Sequence, residues 1–96
     1  MSSPKIEMMI SLTQGYLRGY SEYTDDASML GKKLGRKFLA LLKDENPPSQ
    51  RVLDLLHEFE SRKNDPAFSG SAWWEFCICV RTFAEMKGIE TPPAGG

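Results

Sequence analysis

Apolar residues recur along most of this chain at the spacing of one face of a helix, and turn-forming residues interrupt the pattern three times. The first periodic stretch runs from Pro4 to about Tyr20, with Ile6, Met9, Ile10, Thr13, Tyr16, Leu17 and Tyr20 on one side and Lys5, Glu7, Ser11, Gln14 and Arg18 largely on the other. Ser3 suits its N-cap and Pro4 its first turn, where a missing N–H is no loss. Thr24, Asp25 and Asp26 supply the next start signal. The second helix is expected to continue through about Lys43, gathering Leu30, Leu34, Phe38, Leu41 and Leu42 on its apolar side and Lys32, Lys33, Arg36, Lys37 and Lys43 on its polar side.

Pro47 and Pro48 cannot continue that ladder, so a sharp turn is expected before a third helix opens at Pro48 or Ser49. Val52, Leu55, Leu56 and Phe59 form its stripe, Glu58 and Arg62 are spaced as an ion pair, and the helix is expected to close near Lys63. Asn64, Asp65 and Pro66, then Ser69, Gly70 and Ser71, bracket a connection. Ala72 to Lys87 is the most apolar stretch. Phe76, Ile78 and Val80 alternate there as in a strand, but no second segment reads as a strand to pair with it, so a helix is expected. Trp73, Phe76, Cys77, Val80 and Phe83 or Ala84 then occupy one arc, with Trp74 and Ile78 on another, and Gly88 supplies the C-terminal cap.

These elements define an all-α fold, a compact bundle of about four helices. Residues 1–88 are expected to form one helical domain and residues 89–96, rich in breakers, a flexible tail. The length of 96 residues suits a single core. Charge adds little at the level of the whole chain, because 12 basic and 13 acidic residues give a formal net charge of -1. No apolar run approaches a membrane span and the start lacks a signal-peptide pattern, so a cytoplasmic protein without membrane contact is expected.

Candidate chemistry is sparse. Cys77 and Cys79 stand two positions apart, a poor spacing for a disulfide in either helix or strand, and read as free thiols on different sides of a helix. With one histidine, His57, and no Cys-x-x-Cys, the usual ligands of structural zinc are missing, and neither a metal nor a cofactor is expected. His57 has no evident catalytic partner in sequence, and no phosphate loop, zinc-protease helix motif or nucleophile elbow occurs. No catalytic residue is assigned, and the chain reads as a non-enzyme.

Two features point instead to binding. Lys32, Lys33, Arg36 and Lys37 cluster on one helix side and could steer an acidic surface of another protein, while an exposed aromatic from Trp74 or Tyr23 could anchor it. The expected function is a protein-binding adaptor, regulator or inhibitor. The same basic side could neutralise phosphates, so nucleic-acid binding stands as the alternative, ranked second because no aromatic is interleaved and no helix-turn-helix is evident. Gly15 and Gly19, like Gly31 and Gly35, are spaced for close helix approach, chiefly inside the bundle or else between two copies in a homodimer.

Overall fold

The computed structural model of the protein describes residues 3–66 and 71–92. Four helices occupy them: α1 (Pro4–Gly19), α2 (Asp26–Leu42), α3 (Ser49–Glu60) and α4 (Ser71–Met86). No strand occurs among the described residues. The all-α expectation holds, as does the helical reading of the apolar stretch around Trp73. The chain divides into two compact units, Met1–Asn46 and Pro47–Gly96. Within the first α1 packs against α2, and within the second α3 packs against α4. The expected connection through Ser69 and Gly70, and the end of the tail at 93–96, lie outside the described residues.

Local chemistry accounts for the helix ends. Ser3 caps α1, its Oγ accepting from the Lys5 amide at 3.2 Å, and Pro4 occupies the first turn. Asp25 caps α2 by accepting from the Ser28 amide at 3.1 Å. Those hydrogen bonds also hold the Asp25 carboxyl below its ordinary range. Helix α3 stops at Glu60, short of Lys63, because the chain tightens: the amides of Arg62 and Lys63 reach back three residues to Phe59 and Glu60. Past α4, Gly88 takes φ 70°, the Gly88 amide donates to Glu85 and the Ile89 amide to Ala84. This is the doubly bonded glycine stop that satisfies the last carbonyls.

The buried positions follow the expected faces. Leu34, Phe38, Leu41 and Leu42 are buried on α2, Val52, Leu55, Leu56 and Phe59 on α3, and Trp73, Phe76, Cys77, Val80, Phe83 and Ala84 on α4. On α1 only Met9 and Thr13 are fully buried. The Thr13 hydroxyl is satisfied within the helix, donating to the Met9 carbonyl at 2.8 Å. In the second unit the Phe59 ring lies 5.0 Å from Trp73 and stacks on Phe76 at 5.2 Å, centroid to centroid. The Trp73 indole N–H donates to the Phe59 carbonyl at 2.9 Å, so this large side chain is buried without leaving a donor unmet.

Candidate functional site: a basic helix face and an exposed tryptophan

Exposed side chains on α2 and α4 form the two candidate binding surfaces, one in each unit. Lys33, Arg36 and Lys37 are exposed on α2, with Lys43 following a turn and a half later. No ion pair or hydrogen bond occupies their charged groups among the described residues. Met29 is also exposed on α2 one turn before Lys33, so this face combines cations with an apolar contact.

Lys32 departs from the expected stripe. It is buried, and its ammonium donates to the Tyr23 carbonyl at 2.7 Å and to the Ser21 carbonyl at 3.2 Å. Both acceptors belong to the turn between α1 and α2, which presents backbone oxygens where the α2 surface passes beneath it. The side chain is buried and its ammonium serves as a clasp on that turn. Lys32 therefore joins the packing of the first unit, and the exposed basic face is carried by Lys33, Arg36 and Lys37.

Tyr23 is half exposed at 54%, and its ring meets Tyr20 edge-on at 5.1 Å, while Tyr20 stacks on Tyr16 at 4.5 Å. The three tyrosines form a ladder over the end of α1. Tyr23 and Lys32 are brought together through the Tyr23 carbonyl, with Lys33, Arg36 and Lys37 on the outward side of the same helix. Tyr16 also explains a glycine: a Cβ built on Gly31 would run into its hydroxyl and stand 3.1 Å from its Cζ. The glycine leaves room for the end of the Tyr16 ring against α2.

In the second unit the adjacent tryptophans separate as their roughly 100° difference in direction requires. Trp73 is buried, whereas Trp74 is 46% exposed and Ile78, one turn on, is 60% exposed. Lys63 sets its ammonium 5.4 Å from the centre of the Trp74 ring, a cation–π contact that steadies the exposed indole. Glu75 and Glu85 lie on the exposed part of the same helix. The face is apolar with acidic neighbours.

Behind it, Arg81 and Glu60 form an ion pair at 2.8 Å, with three guanidinium-to-carboxylate hydrogen bonds between α4 and α3. Those bonds raise the already high Arg81 pKa further. The remaining guanidinium nitrogen donates to the Thr91 hydroxyl at 3.1 Å and the Pro92 carbonyl at 2.7 Å. The non-helical residues 89–92 are thus held against α4. The expected Glu58–Arg62 pair takes another form, with Arg62 donating to the Glu58 backbone carbonyl at 3.0 Å. Neither long-range contact of Arg81 has a local sequence signal.

Of the two cysteines, Cys77 is buried and Cys79 partly buried. Burial pushes the Cys77 thiol up to about 11, and burial followed by the nearby Glu75 charge raises Cys79. Both cysteines are free thiols. His57 is exposed on α3, and among the described residues its imidazole has no hydrogen-bond partner. No three His, Cys, Asp or Glu side chains among the described residues cluster as a metal site would require. No helix among them is long and apolar enough to cross a membrane.

In comparisons with known proteins, no family model, no curated protein and no solved structure matches the chain.

Proposed function

We propose that the protein is a non-enzymatic binding module, an adaptor, regulator or inhibitor that acts by docking on another protein in the cytoplasm. The observation that carries this reading is the exposed Trp74 and Ile78 pair, two large apolar side chains one helical turn apart. An indole so placed fills a pocket in a partner with little loss of freedom, and such anchors dominate the energetics of protein interfaces. In the other unit, the unpaired cations Lys33, Arg36 and Lys37 on α2 suit an acidic surface.

Nucleic-acid binding is the second reading, favoured by the same unpaired cations on one helix face. The two readings differ in what Trp74 does. Protein binding makes Trp74→Ala costly and salt a modest influence, whereas phosphate binding makes salt and charge reversal decisive and Trp74 unimportant. The test is retention from source-cell lysate on the immobilised protein, with nuclease treatment, for wild type, Trp74→Ala and the double variant Lys33→Glu with Lys37→Glu. The expected result is a discrete, nuclease-resistant partner protein lost with Trp74→Ala while thermal stability is unchanged. Nuclease-sensitive recovery that survives Trp74→Ala would establish the second reading instead.

A further inference from the structure

A surface on α1 is left open in a way that the first unit does not explain. Met8 is 60% exposed and Leu12, one turn on, is 53% exposed. The same line continues through Gly15 and Gly19, so Met8, Leu12, Gly15 and Gly19 follow the alternating four- and three-residue steps of a helix-pairing seam. A Cβ built on Gly15 or Gly19 would find nothing within 4 Å. Neither glycine has positive φ, the one such glycine among the described residues being Gly88. Gly15 therefore weakens a helix interior without a conformational or packing need within the described part of the first unit, in contrast to Gly31, which makes room for Tyr16. A close neighbour outside the first unit would supply the missing need.

We propose that α1 pairs antiparallel with α1 of a second copy of this chain along Met8, Leu12, Gly15 and Gly19. The seam is complementary to itself in that direction. With the two-fold axis between Thr13 and Gln14, Leu12 falls opposite the partner's Gly15 and Met8 falls opposite the partner's Gly19. Each large side chain thus meets a glycine, and symmetry repeats both contacts. Parallel pairing would instead set Leu12 against the partner's Leu12 and leave the glycines facing each other across a void. Charge agrees with the antiparallel choice. Glu7 and Arg18 are both exposed on one flank of the seam, and the same register brings Glu7 near the partner's Arg18 and Arg18 near the partner's Glu7. A single helix pair buries less than the roughly 1,200 Å² of a standard interface, so the association is reversible and concentration-dependent. This pairing uses a different helix from the Trp74 surface and does not depend on it.

The test is sedimentation equilibrium of the full chain from the low micromolar to the high micromolar range. Wild type should pass from the monomer toward twice the monomer mass. Leu12→Glu, at an exposed position, should keep its helical circular dichroism and remain monomeric throughout. Gly15→Ala should act with opposite signs in two readouts, raising thermal stability at high dilution while weakening association several-fold, because the added methyl stands where the partner's Leu12 must sit. Glu7→Arg should weaken association, and combining it with Arg18→Glu should restore it. A wild-type monomer at every concentration would overturn the proposal, as would association indifferent to Leu12→Glu and Gly15→Ala. Failure of the charge swap to restore pairing would overturn the antiparallel register.

Discussion

Lys32 and Lys33 are adjacent lysines on one helix with opposite fates, and replacing each in turn measures what the turn clasp contributes. The Lys32 ammonium makes two hydrogen bonds to backbone carbonyls, at 2.7 and 3.2 Å. Hydrogen bonds to a charged group contribute about 1.5–3 kcal/mol each, but Ser21 and Tyr23 are themselves exposed, so water can take over part of the work when the ammonium is removed. Adding the lost packing of the buried stem, Lys32→Ala should destabilise the chain by about 2–3 kcal/mol in total. For a chain of this size that corresponds to a fall in melting temperature of roughly 10 °C or more. Lys33→Ala, at an exposed position without partners, should change stability by less than about 0.5 kcal/mol. Lys32→Met separates the two contributions, because it keeps most of the stem and deletes the cation. It should fall between wild type and Lys32→Ala. Thermal and urea unfolding followed by circular dichroism provide the assay. Equal effects of Lys32→Ala and Lys33→Ala would refute the clasp.

Other consequences are as specific. Gly31→Ala should cost about 1–3 kcal/mol, since the Tyr16 ring it strikes is held by its stack on Tyr20, and Tyr16→Phe in the same chain should recover part of the loss in urea unfolding. Gly88→Ala should cost about 1–2 kcal/mol, because φ 70° is unfavourable for any residue with a Cβ. The Asp25 carboxyl is depressed by its hydrogen bonds to Ser28, so its cap is fully effective above the ordinary carboxylate range and is lost as pH falls through the depressed value. Asp25→Asn should remove that contribution to the acid limb of a pH–stability curve. With its thiol raised to about 11, Cys77 should react with iodoacetamide at neutral pH far more slowly in the folded chain than in urea.

The helices were legible because each carries a periodic stripe, and several of their ends carry a local start or stop signal. Asp25, the Pro47–Pro48 step and Gly88 act at their own positions, and the boundaries they imply lie close to those observed. That Trp73 and Trp74 occupy different arcs was legible, since helical geometry alone turns neighbours apart, but whether both are buried was not, because that depends on how α3 packs on α4. Lys32 was not legible: its burial depends on carbonyls nine and eleven residues upstream, which face it only after the α1–α2 turn has formed. The Arg81–Glu60 pair spans 21 residues and likewise follows from packing rather than pattern. Met8 and Leu12 lie off the expected α1 stripe, and their isolation from it is the signal that identifies a second apolar line on that helix.

Under the proposed function, Trp74 is the contact that another protein covers while Trp73 remains an internal anchor. Because the chain has 2 tryptophans, fluorotryptophan labelling gives one fluorine resonance for each, assigned with Trp74→Phe. Titrating in the protein retained from lysate should shift the Trp74 resonance in saturable fashion and protect it from solvent, leaving the Trp73 resonance in place. A saturating titration in which Trp74 does not move, or in which only Trp73 moves, would contradict the assignment of this surface.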